Sequence, residues 1–216
     1  MRLTGIVFDL DGTLADTLPI CVKAFQDTLV HFTGRRYSET EITAHFGPTE
    51  EGMLRRLIPD RAQQAVETFL EVYEREHNVC TAPFPGIRDV LWLLASRGVK
   101  LAIVTGKGSR SAEISLRHLG LGSMFDTVET GSADGPIKSL SIRRVLDGWG
   151  AEPLSVAYVG DTPHDMRGTP KRLASWHWEQ PGPRRPRWGE MMLGLPMWFS
   201  YQLTTSSAGL AERSVP

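Results

Sequence analysis

The chain carries, from its third residue on, an apolar run that ends in acidic and glycine residues: Leu3-Thr4-Gly5-Ile6-Val7-Phe8-Asp9-Leu10-Asp11-Gly12-Thr13-Leu14. Residues 3–8 show no regular alternation of polar and apolar side chains, which is typical of a parallel strand buried on both faces. Asp9 and Asp11 follow where such a strand would end. We therefore expect a buried strand that brings two carboxylates to one edge of a sheet.

Later segments continue this pattern. Buried-strand patterns recur at residues 99–104, 125–128 and 155–159, and helical spacing lies between them at residues 87–97, 110–119 and 139–149. The order βαβαβαβ predicts an α/β fold with a doubly wound parallel sheet. In such sheets ligands bind beyond the carboxyl ends of the strands, which is where Asp9 and Asp11 are expected.

A helical insert separates the first two strands. Residues 17–80 predict consecutive helices with no strand among them, and the turn-rich stretch Pro83-Phe84-Pro85-Gly86 follows; the insert is expected to span residues 17–83. Helices are expected at residues 18–33, 49–58 and 60–77, the last capped by Asp60, with a short helix opened by the capping box Ser38-Glu39-Thr40-Glu41. The sequence predicts a core of residues 1–16 and 84–167 around this inserted unit.

More polar residues converge on the expected sheet edge. Thr105 follows the second strand, Asp161 and Asp165 follow the last one, and Lys138 precedes the last helix. Several carboxylates brought together repel one another unless a cation lies between them, and hard oxygen ligands favour Mg²⁺. A lysine and a hydroxyl beside that metal suit a phosphate, through charge and a hydrogen bond.

Four segments in this order resemble the motifs of the haloacid dehalogenase superfamily. They are Asp9-Leu10-Asp11-Gly12-Thr13-Leu14, which matches the DxDGT signature, Val104-Thr105-Gly106-Lys107, Lys138, and Gly160-Asp161-Thr162-Pro163-His164-Asp165. Residues 17–83 resemble the small helical cap of its phosphoglycolate phosphatase-like subgroup. The resemblance covers residues 1–167 and implies a Rossmann-like α/β core that carries this cap.

The resemblance also implies a role for each matching residue. Asp9 would be the nucleophile that forms an aspartyl-phosphate, and Asp11 the general acid and then the general base. The phosphoryl group would be held by Gly12, Thr105, Gly106, Lys107 and Lys138, of which Thr105 and Lys138 would also take part in catalysis. Mg²⁺ would be bound by Asp9, Asp11 (through its backbone carbonyl), Asp161 and Asp165.

The acid at Asp11 favours a phosphatase over a dehalogenase, because a halide leaving group needs no proton. We expect an Mg²⁺-dependent phosphatase that hydrolyses a small, phosphoglycolate-like phosphomonoester. A pyrophosphatase, a sugar phosphomutase, a receiver-like phosphoryl-binding protein and a degraded, non-catalytic relative all remain open. The stretch Phe46-Gly47-Pro48-Thr49-Glu50 either contacts the leaving group or only connects two helices.

The composition excludes other classes of protein. The chain has 24 Lys and Arg against 25 Asp and Glu, a formal charge of −1, so nothing attracts it in bulk to nucleic acid or to an anionic membrane. The sequence contains no run of 18 apolar residues, so no membrane span is predicted, and residues 1–9 do not resemble a signal peptide. With Cys21 and Cys80 expected as reduced thiols, we predict a cytoplasmic monomer or homodimer whose partner is a small phosphorylated metabolite.

The last 49 residues differ from the rest of the chain. Residues 1–167 hold 22 Val or Ile, whereas residues 168–216 hold one and carry six basic against three acidic residues. Pro170 would interrupt the helix expected there, and nothing beyond Gly168 predicts a buried parallel strand. Residues 168–216 are therefore expected to be a divergent segment, a disordered extension or an out-of-frame translation.

Overall fold

The computed structural model describes residues 3–161 and 174–177 of the chain. Its sheet has five parallel strands in the order β3-β2-β1-β4-β5. The strands are β1 (Gly5–Phe8), β2 (Lys100–Val104), β3 (Thr127–Glu129), β4 (Val156–Gly160) and β5 (Ala174–His177). The predicted doubly wound parallel sheet is confirmed. From β1 the chain adds β2 and β3 on one side, and it then crosses to the other side for β4 and β5. In this topology ligands bind in the crevice between the carboxyl ends of the two strands where the direction changes, here β1 and β4.

The described part of the chain has seven α-helices. They are α1 (Leu18–Thr33), α2 (Glu39–Thr43), α3 (Glu50–Leu57), α4 (Ala62–Glu76), α5 (Ile87–Ser96), α6 (Ser109–Leu119) and α7 (Lys138–Trp149). The capping box of α2 is present, with both of its reciprocal hydrogen bonds between Ser38 and Glu41. Asp60 does not cap α4 as expected, because Pro59–Arg61 form a turn of 3-10 helix and α4 begins one residue later.

Alternate residues of β1 enter two different cores. Ile6 and Phe8 pack with α5 and α6 on one face of the sheet, and Val7 packs with α7 on the other. All three side chains are fully buried, which explains why the sequence shows no polar alternation here. Helices cover both faces of the sheet and leave its strand ends open for a site.

The inserted helices have an apolar core of their own. Phe25 of α1 and Phe69 of α4 lie at its centre, with ring centroids 4.6 Å apart, and Leu54 of α3 is fully buried beside them. The boundaries drawn from the sequence, at residues 16/17 and 83/84, remain predictions. None of the helices that the structure describes is long and apolar enough to cross a membrane.

The expectation that no parallel strand follows Gly168 is wrong. Ala174–His177 form β5, which pairs in parallel with β4 through the partners Tyr158 and Ser175. An edge strand needs only one hydrogen-bonded neighbour, and a β-branched residue is not required for that, because strand preference depends strongly on context. Asp165 and the remaining residues of the atypical segment lie outside the described residues.

Candidate active site

A cavity of about 250 Å³ lies between the carboxyl ends of β1, β2 and β4 and the inserted helices. Its polar lining consists of Asp9, Asp11, Glu50, Thr105, Lys107, Lys138 and Asp161. Its apolar lining comes largely from the inserted helices and from the loop before α7, and includes Leu18, Cys21, Phe25, Phe46, Met53 and Ile137. Six of the seven polar residues were predicted from the sequence; Gly12 is not among the described residues that line the cavity, and Asp165 lies outside the described residues.

Asp9 is held by a lysine that is distant in sequence. Its carboxylate Oδ2 accepts a hydrogen bond of 2.9 Å from Lys138 Nζ, and its Oδ1 accepts one of 2.8 Å from the backbone N–H of Leu10. Lys138 is the first residue of α7, and that position points its ammonium group back over the end of β1. The pair leaves a largely buried carboxylate, 8% exposed, at the floor of the cavity.

Asp11 lies beside a second, deeper lysine. Its Oδ1 accepts a hydrogen bond from Thr17 Oγ1 and is 3.4 Å from Lys107 Nζ. The same Nζ lies 3.4 Å from Glu50 Oε1 and 4.5 Å from the centroid of the Tyr73 ring. Burial by itself would lower the pKa of Lys107, but the interaction with Asp11, with smaller contributions from Cys21, Tyr73 and Glu50, outweighs it and holds that pKa well above its usual range. The direction of this shift favours the charged form of the Lys107 ammonium.

Asp161 lies directly against the loop that follows β1. Its Oδ1 accepts a hydrogen bond of 3.1 Å from Thr13 Oγ1, and a side chain at Gly12 would collide with its Oδ2. Gly12 also has φ +74°, a left-handed conformation that glycine adopts without strain. The glycine of the first motif therefore serves the close approach of Asp161, although it does not itself line the cavity.

The donor chemistry of this edge fits Mg²⁺. Asp9 and Asp161 offer carboxylate oxygens to the same cavity, and hard oxygen ligands are the ones that Mg²⁺ prefers. Among residues 3–161 and 174–177 there is no group of three His, Cys, Asp or Glu side chains that could hold a metal ion. The predicted third carboxylate, Asp165, lies outside these residues, so its part in the site remains a prediction.

The loop after β2 lines the cavity on the side of β1 away from β4 and Asp161. Thr105 is buried, and its Oγ1 accepts a hydrogen bond of 3.2 Å from the backbone N–H of Lys107. Gly106 faces open space, since a Cβ there would meet no atom within 4 Å. Gly131 stabilises this loop, because its N–H donates a hydrogen bond of 2.7 Å to the Lys107 carbonyl. A phosphoryl group could thus approach the Gly106 backbone closely.

The family model of haloacid dehalogenase-like hydrolases matches residues 6–172 of the chain. The chain belongs to the haloacid dehalogenase-like hydrolases. The match spans the predicted motifs and continues to within two residues of β5. The predicted superfamily is confirmed.

Two curated proteins are similar to most of the chain. The phosphoglycolate phosphatase of Aquifex aeolicus is 32% identical over 179 residues, which cover 79% of this chain and 84% of that protein. The pyrophosphatase PpaX of Halalkalibacterium halodurans is 28% identical over 170 residues, which cover 78% and 79%. Together with the family match they identify this hydrolase as a phosphatase.

A solved structure shows the same fold. The phosphate complex of CbbY from Rhodobacter sphaeroides superposes with a TM-score of 0.69 at 19% identity, over 81% of this chain and 85% of that one. At this level of identity the likeness concerns the arrangement of the elements. It supports the haloacid dehalogenase-like core with inserted helices as the architecture of this chain.

The sequence did not predict a specific role for Glu50, which lines the cavity of this haloacid dehalogenase-like site. Glu50 was one of five residues that either contact a leaving group or join two helices, and the structure puts its carboxylate in the cavity wall, only 6% exposed. A glutamate at the start of a helix usually faces solvent, where it also complements the helix dipole, so its sequence position gave no reason to expect burial. Its neighbours Phe46, Gly47 and Pro48 line the cavity as well.

Proposed function

We propose that this enzyme hydrolyses a small phosphomonoester, in an Mg²⁺-dependent reaction that passes through an aspartyl-phosphate on Asp9. The observation that carries the proposal is the contact of 2.9 Å between Lys138 Nζ and Asp9 Oδ2 inside the cavity. A carboxylate held this way is ionised and is a nucleophile without any base to activate it. The lysine also offsets the negative charge that a phosphoryl group would bring to Asp9.

In the first step an Asp9 carboxylate oxygen attacks phosphorus and the ester P–O bond breaks. Asp11 gives its proton to the departing alkoxide, so that an alcohol leaves. Asp11 is two residues from Asp9 and lines the same cavity, where Thr17 and Lys107 fix its carboxylate. In the second step Asp11 takes a proton from water, the water oxygen bonds to phosphorus, and the acyl-phosphate bond breaks to return Asp9 and release phosphate.

The remaining motif residues would bind the phosphoryl oxygens. Thr105 and the Gly106 backbone border the cavity opposite Asp161, and Lys138 and Lys107 supply positive charge from two sides. Mg²⁺ would be bound by the carboxylates of Asp9 and Asp161, the Asp11 carbonyl and Asp165. When bound, the cation supplies positive charge to the phosphoryl group and lessens repulsion among the carboxylates.

A compact substrate suits the cavity. About 250 Å³ bounded by apolar side chains leaves room for a phosphoryl group and a leaving group of a few heavy atoms. A phosphoglycolate-like ester is our first candidate, because the relative from Aquifex aeolicus is named for that substrate. Inorganic pyrophosphate is the second, because the relative from Halalkalibacterium halodurans is named a pyrophosphatase. The cytoplasmic location and a monomeric or homodimeric state remain predictions.

The test is phosphate release from 2-phosphoglycolate, pyrophosphate and an aryl phosphate, with Mg²⁺ present and after chelation. Asp9→Asn should abolish turnover, and the wild-type enzyme should retain a ³²P label on acid quenching that Asp9→Asn does not. Asp147→Asn makes the same change at an exposed position of α7 and should leave the rate unchanged. Turnover that persists in Asp9→Asn would refute the mechanism, and turnover that ignores chelation would refute its dependence on the metal.

A further inference from the structure

Glu50 is a buried carboxylate that reaches from the inserted helices into the core. It is the first residue of α3, and its Oε2 accepts a hydrogen bond of 2.7 Å from the backbone N–H of Gly108. Its Oε1 accepts one of 2.8 Å from Ser111 Oγ and lies 3.4 Å from Lys107 Nζ. All three partners belong to residues 107–111, at the start of α6.

Lys107 lies between Glu50 and the proposed acid–base residue. Its Nζ is 3.4 Å from Asp11 Oδ1 on one side and 3.4 Å from Glu50 Oε1 on the other, and its side chain is 3% exposed. Among the described residues this buried ammonium has no hydrogen-bond acceptor in proper geometry. Two carboxylates, one from the core and one from the inserted helices, lie at equal distances from this ammonium, and the face of the Tyr73 ring lies beside it.

The start of α3 also contacts a second loop of the core, the one that follows β3. The N–H of Thr49 donates to the Ser132 carbonyl at 3.0 Å, and a side chain at Gly52 would collide with the Ala133 carbonyl. The start of α3 thus touches the loop after β2 and the loop after β3 at once. Movement of α3 away from the core would separate Glu50 from all three of its partners.

A buried carboxylate is costly unless charge and hydrogen bonds compensate it, and here the compensation exists only while α3 is docked. In the docked state Lys107 is shared between two carboxylates. Without Glu50 the ammonium would keep Asp11 as its only carboxylate neighbour, with the Tyr73 ring still 4.5 Å away, and would be drawn closer to Asp11. The charge on Glu50 therefore affects the distance between Lys107 Nζ and the Asp11 carboxylate.

We propose that Glu50 is a positioning residue that clasps the inserted helices to the core and holds Lys107 at its distance from Asp11. This role rests on the proposed phosphatase mechanism, in which Asp11 transfers the proton. Glu50→Gln keeps the shape and one hydrogen-bond acceptor but removes the charge. We expect kcat to fall about tenfold, with KM changed less than about threefold, because substrate still binds while the catalytic geometry is disturbed.

A double-mutant cycle with Lys107→Met separates this role from a merely structural one. If Glu50 acts through Lys107, adding Glu50→Gln to Lys107→Met should lower kcat by less than about a further twofold. Full additivity of the two effects would overturn the proposal. So would a wild-type kcat in Glu50→Gln. Glu71→Gln, the same change at an exposed position of α4, is the matched control and should leave both constants unchanged.

Hydrogen exchange tests the clasp without any substrate. The Gly108 amide, which donates to Glu50, should exchange at least about fivefold faster in Glu50→Gln than in the wild-type protein or in Glu71→Gln. Unchanged exchange would refute the clasp. If the wild-type chain releases no phosphate from any ester, the proposed function fails, and this measurement still decides whether the clasp exists.

Ser111→Ala keeps the test decisive if Glu50→Gln does not fold. It removes one of the hydrogen bonds to Glu50 and leaves every charge in place. We expect a fall in kcat of about threefold with KM little changed, together with faster exchange at Gly108. A Ser111→Ala protein with wild-type kcat and wild-type exchange would overturn the proposal.

Discussion

Lys138 Nζ lies 2.9 Å from Asp9 Oδ2, although 129 residues separate the two in the chain. The first strand of the sheet ends one residue before Asp9, and the helix that precedes β4 begins at Lys138. The parallel sheet places β1 beside β4, so the start of α7 returns to the end of β1. Fixed charge at this point is what a phosphoryl-transfer site needs.

Removal of the Lys138 charge should strongly reduce turnover. We expect Lys138→Met to lower kcat by about 10²–10³-fold, because a preorganised cation beside the nucleophile is lost. Steady-state kinetics with a saturating phosphate ester measure this. Arg143→Met removes an exposed cation from the same helix and should change kcat by less than about twofold. Similar losses in both variants would contradict the assignment of Lys138.

A side chain at Gly12 should be far more harmful than one at Gly34. Both glycines have a left-handed backbone, with φ +74° and +70°, but a Cβ at Gly12 collides with Asp161, whereas one at Gly34 meets no atom within 4 Å. We expect Gly34→Ala to cost about 1 kcal/mol of unfolding free energy, from backbone strain alone, and Gly12→Ala about 2–4 kcal/mol. Urea denaturation of the two variants compares them directly, and equal costs would show that the Asp161 contact is unimportant.

Neutralising Asp161 should weaken the binding of the Mg²⁺ that we propose for this site. In Asp161→Asn, the Mg²⁺ concentration for half-maximal activity should rise by about 10–100-fold, because one charged oxygen ligand is lost. Titration of activity with Mg²⁺ gives this value. Asp89→Asn, at an exposed position of α5, serves as the control. An unchanged Mg²⁺ midpoint in Asp161→Asn would remove Asp161 from the proposed ligand set.

Acid should destabilise the fold partly through His77. This side chain is fully buried, and burial lowers its pKa below the ordinary 6.5. Below pH 6.5 the unfolded chain therefore takes up a proton that the folded chain does not, so stability falls as the pH falls and is insensitive to this group above pH 6.5. Groups around it also contribute: His118 stacks on it at 4.8 Å and bonds to Glu74, and Lys107 adds positive charge.

Urea denaturation between pH 5 and pH 8 measures the contribution of His77. The loss of unfolding free energy on acidification should be smaller in His77→Gln than in the wild-type protein, because glutamine has no proton to take up. His31→Gln changes a histidine on the exposed side of α1 and should keep the wild-type slope. Identical slopes in the His77 variant and the wild-type protein would contradict the prediction.

Local pattern was sufficient for much of the fold. The unbroken apolar run of β1 reflects burial on both faces, and Gly34 ends α1 as a left-handed cap. Both effects act within a few residues of the chain, so the sequence records them directly. The start of α4 and the existence of β5 were mispredicted, because a short turn after Pro59 and a single ladder to β4 override the weak propensities of those residues.

The candidate site, like the fold, was predicted from the sequence only in part. The sequence by itself determined that carboxylates, a hydroxyl and a lysine follow the strands of a parallel sheet, since strand direction alone brings such residues to one edge. Only the tertiary structure decided that Lys138 pairs with Asp9, whereas Lys107 is buried between Asp11 and Glu50. Such pairings depend on how helices from distant parts of the chain dock against that edge, and no spacing within a single segment encodes the resulting distances.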